Sequence, residues 1–125
     1  MPPAFERVFD LPDDPRAAGL ARAHTRAFLR GRALATLTDD AELLASELVT
    51  NVIRHAGGRP QLTLTKDASA VRIGVSDKGF GLPSLKAPDL DTLTGRGLFL
   101  VDRLSARWGF TREPDCSTVW CELAT

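Results

Sequence analysis

Residues 39–58 read Asp39-Asp40-Ala41-Glu42-Leu43-Leu44-Ala45-Ser46-Glu47-Leu48-Val49-Thr50-Asn51-Val52-Ile53-Arg54-His55-Ala56-Gly57-Gly58. Leu44, Ala45, Leu48, Val49, Val52, Ile53 and Ala56 recur at helical spacing and cover a wide arc suited to packing on a sheet. Asp39 followed by Glu42 resembles a capping box, and Gly57-Gly58 stops the pattern, so the spacing predicts a helix ending at Ala56. Glu47, Asn51 and His55 follow at i, i+4 and i+8, on the border of the apolar arc beside Leu44. A row in that position is either an exposed polar edge or the wall of a cleft. As chemistry, Asn51 offers an amide oxygen to a magnesium ion already held by phosphates, and Glu47 offers a carboxylate able to take a proton from an attacking hydroxyl. His55 has no second histidine or cysteine at metal spacing and reads as a structural hydrogen-bonding residue.

Downstream, Leu62 with Leu64, then Val71, Ile73 and Val75, alternate with polar residues, which predicts two half-buried strands joined by a turn near Asp67 to Ser69. Asp77 continues the inward parity of the second strand and opens Asp77-Lys78-Gly79-Phe80-Gly81. A carboxylate on the inward side needs donors, because an unpaired buried charge is costly. Asp77 is then either an Asx turn with its following glycine or an acceptor for the exocyclic amino group of adenine, where guanine would present a carbonyl. Gly79 and Gly81 would let the backbone approach base and ribose. Thr94-Gly95-Arg96-Gly97-Leu98 opens a third helix at about Arg96, and the free N–H groups of a helix start favour phosphate. Neither glycine turn leads into a Walker Gly-Lys-Ser/Thr, and Leu100 stands where a dinucleotide fingerprint has its third glycine. Strands at 106–111 and 117–123, separated by Glu113-Pro114-Asp115, end the chain.

Upstream, residues 5–9 read as a short strand, and a helix capped by Asp14 with Pro15 at its first position runs to about Arg30. Ala17, Leu20, Ala21, Ala27 and Phe28 share one side of it, and Arg22, Arg26 and Arg30 the other, as a solvated face or a docking surface. Helices grouped against hairpin-connected strands imply an α+β two-layer sandwich with a mostly antiparallel sheet, in one domain spanning residues 1–125. The 16 basic and 16 acidic side chains cancel, so no overall field draws the chain to nucleic acid or an anionic membrane. Cys116 and Cys121 are expected on opposite faces of one strand and unbonded, which with the absence of a leader or a long apolar run fits a cytoplasmic protein.

In this order, Glu47-Leu48-Val49-Thr50-Asn51, Asp77-x-Gly79-x-Gly81 and Gly95-x-Gly97 resemble the N, G1 and G2 boxes of the GHKL superfamily of ATPases. The short chain, the stretch Glu47 to Ala56 and the segment Gly95 to Gly109 look like the anti-sigma factor serine/threonine kinase branch, over nearly the whole length. The resemblance implies the Bergerat (histidine kinase-like ATPase) fold, with residues 82–94 as a lid over ATP. It also implies roles: Glu47 as general base, Asn51 as magnesium ligand, Asp77 as adenine partner, and Gly79, Gly81, Gly95 and Gly97 as nucleotide-cradling backbone. Thr118 resembles the late threonine that helps hold the adenine site. By the same resemblance the cofactors are ATP and Mg²⁺, and the partners a STAS-type anti-sigma factor antagonist, which the kinase phosphorylates, and a sigma factor, which a homodimer sequesters.

Kinases of this branch often carry an arginine just ahead of the second glycine box, where this chain reads Asp91-Thr92-Leu93-Thr94. Arg96 is the nearby cation and is expected to act on the phosphates. An ATP-binding interaction module without phosphotransfer therefore stands beside the kinase reading. A histidine-kinase fragment is disfavoured, because no helix pair with a phosphoacceptor histidine precedes residue 15 and His24 sits alone on a short helix.

Overall fold

The computed structural model describes residues 5–31, 34–56, 59–77, 96–112 and 116–125. Its elements run β1 (Phe5–Asp10), α1 (Arg16–Arg30), a 3₁₀ turn (Ala35–Leu37), α2 (Thr38–Ala56), β2 (Pro60–Lys66), β3 (Ala70–Asp77), α3 (Arg96–Leu104), β4 (Arg107–Arg112) and β5 (Ser117–Ala124). The five strands form one sheet in the order β1-β2-β3-β5-β4, and every described pairing is antiparallel. The helices cover one face of this sheet, which is the two-layer α+β arrangement expected from the grouping of elements.

Alternation decides which side chains enter the core. In the β2–β3 hairpin Leu62 faces Val75, Leu64 faces Ile73 and Lys66 faces Val71, and the two leucines with Val71, Ile73 and Val75 are fully buried. The Asp67 carboxylate closes the turn by accepting the N–H groups of Ser69 and Ala70 at 2.8 and 2.9 Å. Helix α2 lays Leu44, Ala45, Leu48, Val49 and Val52 into this face, packing on β3 as well as on α1 and α3. The wide apolar arc predicted for it is thus a contact with three elements at once.

Two expectations change at the helix ends. Helix α1 begins at Arg16 with Pro15, already helical at φ −59° and ψ −17°, in the cap position. Proline's fixed φ suits that place, and Asp14 supports the turn from outside by accepting the Arg16 N–H at 2.8 Å. Helix α2 starts at Thr38, directly after the 3₁₀ turn, so Asp39 lies inside its first turn and Glu42 does not close a capping box. Glu42 instead pairs with Arg26 of α1 at 2.7 Å, which takes that arginine out of the purely solvated row. Leu20, at the margin of the α1 apolar arc, is 40% exposed. Both cysteines are free, and burial, with the Glu122 charge second, pushes the Cys121 thiol up to about 12, leaving it inert as a nucleophile.

The opposite face of the sheet is polar and open. Trp120 lies flat there: a Cβ on Gly109 would stand 2.6 Å from its ring, and Arg72 stacks on the indole at 4.0 Å. Glycine at 109 is what lets the ring lie down.

Thr25 is the odd member of the α1–α2 interface, since it is fully buried and its hydroxyl has no hydrogen-bond partner among the described residues. Thr25→Val keeps the shape and removes the unpaired group, and is expected to stabilise by about 1 kcal/mol, raising the melting temperature by roughly 3–5 °C in a chain of this size. A calorimetric scan showing a lower melting temperature for the variant would mean the hydroxyl is satisfied in solution.

Candidate functional site

The inward row of β3 ends on a charge. Asp77 is fully buried, as its strand parity requires, and neither carboxylate oxygen has a hydrogen-bond partner among the described residues. Burial raises its pKa above the ordinary carboxylate value, and the nearby charge of Asp13 adds to the shift. Asp13 is brought there by the linker after β1, because the Leu11 N–H donates to the Pro60 carbonyl at 2.9 Å and Pro60 pairs with Asp77.

Two helices converge on this end of the sheet. α2 ends at Ala56, shortly before Pro60 pairs with Asp77, so its last turns lie over the same strand ends. α3 finishes at Leu104 and hands over to β4 at the opposite end, where Arg107 pairs with Glu122 and the Ala106 N–H donates to the Glu122 carbonyl. Nine helical residues span about 13.5 Å, so the first turn of α3 points back towards the Asp77 end while its body packs on α2.

Asn51 is 7% exposed, on the α2 border that the wheel predicted, and its amide nitrogen is buried without a partner among the described residues. Glu47, one turn earlier on the same row, is half-buried. At Glu47 and Asn51 the row is therefore not a freely solvated edge. Arg96 and Gly97 open α3 in the backbone, with the side chain of Arg96 outside what is described. Gly79, Gly81, Gly95, the 82–94 stretch and the side chain of His55 also lie outside the described residues.

Thr118 is placed elsewhere than expected. Its register partner is Ser76, and the two hydroxyls lie 2.9 Å apart on the open face, away from Asp77. The residue paired with Asp77 is Ser117, on the helix-covered side with Val119, Cys121 and Leu123. The reason is strand alternation: adjacent residues of β5 point to opposite faces, so only one of the Ser117-Thr118 hydroxyls can share a face with the carboxylate. That signal was available, because counting back from Leu123 by twos reaches Ser117.

Buried polar atoms ordinarily have partners, and here an acceptor pair on β3 and an amide nitrogen on α2 have none among the described residues. The Asp77 oxygens fit a ligand that brings its own donors, and the Asn51 amide nitrogen, itself a donor, fits an acceptor such as a phosphate oxygen. Among the described residues no cluster of three or more histidine, cysteine or acidic side chains could hold a metal by itself, so an ion here would rely on ligand phosphates.

The chain matches the histidine kinase-like ATPase domain over residues 11–123 and belongs to that family. No curated protein matches it. Among solved structures it is similar to the RsbU and RsbW domains of Rv1364c from Mycobacterium tuberculosis, with a TM-score of 0.69 and 19% sequence identity. The match covers 97% of this chain and 32% of that one, so this chain spans about a third of the other's length and the likeness speaks for the fold. The Bergerat-type fold and the resemblance to the GHKL superfamily are thereby borne out. Among the described residues no helix is long and apolar enough to cross a membrane.

Asp77 holds its proton more tightly in the folded than in the unfolded chain. The folded state therefore binds more protons, and stability falls as pH rises from about 4 through the raised value, with the full cost present above it. Ligand-free Asp77→Asn is expected to melt above the parent at pH 7–8 by roughly 2–5 °C, the scale of a buried unpaired group. The difference should shrink as the pH falls towards 4. Thermal scans across pH check this, and a variant that melts lower at every pH would place hydrogen-bond donors on the carboxylate.

Proposed function

We propose that this histidine kinase-like ATPase domain is an anti-sigma-type regulator: a cytoplasmic, homodimeric serine/threonine kinase that uses Mg·ATP to phosphorylate a STAS-type anti-sigma factor antagonist and that sequesters a sigma factor. One observation supports the nucleotide half of this reading, the buried carboxylate of Asp77 at the end of β3, which has no hydrogen-bond partner among the described residues. The regulatory half rests on the sequence resemblance of the N, G1 and G2 boxes to that kinase branch.

Each residue has one task in this reading. Asp77 accepts the amino group of adenine and rejects guanine, whose carbonyl would meet a second acceptor. Ser117, across the strand pair from Asp77, takes the adenine-site role that the sequence pattern suggested for Thr118. Gly79 and Gly81 bring backbone to the nucleoside, and Gly95, Arg96 and Gly97 hold phosphate at the start of α3. Asn51 holds the magnesium ion, which when bound neutralises charge on the phosphates. Glu47 accepts the proton of the attacking serine or threonine hydroxyl, a task for which a half-buried carboxylate one turn from Asn51 is well situated.

A second reading, an ATP-dependent interaction module without phosphotransfer, is favoured by one feature. Leu93 occupies the neighbourhood in which kinases of this branch often carry an arginine.

Isothermal titration should give affinity for ATP over GTP of roughly a hundredfold or more, lost in Asp77→Asn. Glu47→Gln should keep nucleotide affinity within several-fold and lower radiolabel transfer to an antagonist by about a hundredfold or more. Transfer at the parental rate would remove Glu47 from the chemistry, and no transfer from the parent protein to any antagonist would leave the interaction module. The two hydroxyls separate in the same titration. Ser117→Ala is expected to weaken ATP by roughly five- to tenfold, the scale of one lost hydrogen bond, whereas Thr118→Val stays within about twofold. The reverse ranking would return the role to Thr118.

A further inference from the structure

α3 is a short helix, and a helix of nine residues is not stable alone in water, so its position depends on what it touches. Its inward side supplies one fully buried side chain, Val101, with Leu104 partly buried in the last turn, and it packs on α2. Phe99, about 200° round the wheel from Val101, is 61% exposed. Val101 and Leu104 lie within about 60° of each other. They grip the helix along one line, which does little to stop a roll about its own axis.

A second attachment holds a different side. The indole N–H of Trp108 donates to the Asp102 carboxylate at 2.9 Å. Asp102 lies about 100° round the helix from Val101, and two attachments at different angles fix the roll that one leaves open. Trp108 is a firm post for this bond. It rises from the helix-covered face of β4, opposite the buried Cys121, and packs half-buried against the core. The connection between the two residues is pinned as well, since the Ser105 N–H donates to the Val101 carbonyl at 3.0 Å and the Ala106 N–H to the Glu122 carbonyl at 2.8 Å. Asp102 also stands in the last turn of α3, where an acid opposes the helix dipole and its neighbour Arg103 complements it. A merely solvated carboxylate is unfavourable at that end, and the bond to Trp108 gives it a reason.

We propose that Asp102 and Trp108 are positioning residues for the phosphate end of the nucleotide site. The proposal rests on the reading that the first turn of α3 holds phosphate, and it deepens that reading. Six residues separate Asp102 from Arg96, about 9 Å along the axis, so a roll at Asp102 is carried to the N–H groups that open the helix. Those donors must point at phosphate oxygens, and a hydrogen bond weakens steeply as its N–H turns away. Adenine is read by Asp77 on β3, a separate element that does not turn with α3. The Asp102–Trp108 bond therefore acts on ATP and not on adenosine, and neither residue is asked to touch the nucleotide.

Calorimetric titration of the full chain with ATP and with adenosine tests this. Asp102→Ala and Trp108→Phe, which keeps a flat ring in the core, are each expected to weaken ATP by roughly three- to tenfold, the scale of one lost hydrogen bond. Adenosine should stay within about twofold in both, since a single bond of this scale is at stake. The double variant should be no weaker than either single one, because both remove the same bond. Asp102→Asn keeps an acceptor oxygen and should bring ATP back to within about twofold of the parent. Circular dichroism at the titration temperature confirms that the variants are folded. In nitrogen-15 spectra of the parent, the Trp108 indole N–H, told from that of Trp120 by its loss in Trp108→Phe, is expected to shift with ATP and to stay still with adenosine. Equal losses for ATP and adenosine, additive losses in the double variant, or parental ATP affinity in both single variants would each overturn the proposal. A parent that binds ATP no better than adenosine would overturn the phosphate reading and this proposal with it, a result distinct from parental affinity in the variants.

Discussion

A carboxylate stands at the last inward position of a strand whose other inward positions are Val71, Ile73 and Val75. Everything that makes β3 a good core strand makes Asp77 a costly residue in the free protein: the alternation that buries three valine or isoleucine side chains buries the acid with them. A core could be completed more cheaply by a fourth apolar side chain. The carboxylate is intelligible as an acceptor waiting for donors that a ligand brings, and that exchange of stability for recognition is usual where function is built into a fold.

α2 is the element through which this cost is made useful. Its apolar arc fixes it against β3, and because that arc also meets α1 and α3, the helix can turn only a little without losing contact on one side. The row of Glu47 and Asn51 is placed as a by-product of that packing. The Arg26–Glu42 pair ties the two helices across their exposed edge. At the surface such a pair is screened and contributes little, so it adjusts an arrangement that Leu44, Leu48, Val49 and Phe28 already determine.

Most of the frame could be read from residue order. The α2 arc, the Leu62–Leu64 and Val71–Val75 hairpin, the opening of α3 at Arg96 and the burial of Asp77 all follow from period and parity, which are local rules enforced by a single buried face. What could not be read depended on partners distant in the chain. Glu42 resembled a capping residue because Asp39 stands three positions before it, and only the packing of α1 on α2 brings Arg26 to it. Thr118 was matched by its motif, although strand parity places Ser117 on the side of Asp77; there the local rule was the better guide.

The central claim is that Asp77 is a buried acceptor completed by adenine, and its carboxyl carbon reports this directly. A carbon-13 NMR pH titration of Asp77, free and with Mg·ATP, is the measurement that bears on it most closely. In the free protein the carboxyl should titrate above the ordinary carboxylate range, as burial and Asp13 require. With nucleotide bound it should titrate lower, because an amino donor stabilises the charged form. A carboxyl that titrates in the ordinary range and does not respond to ATP would contradict the account.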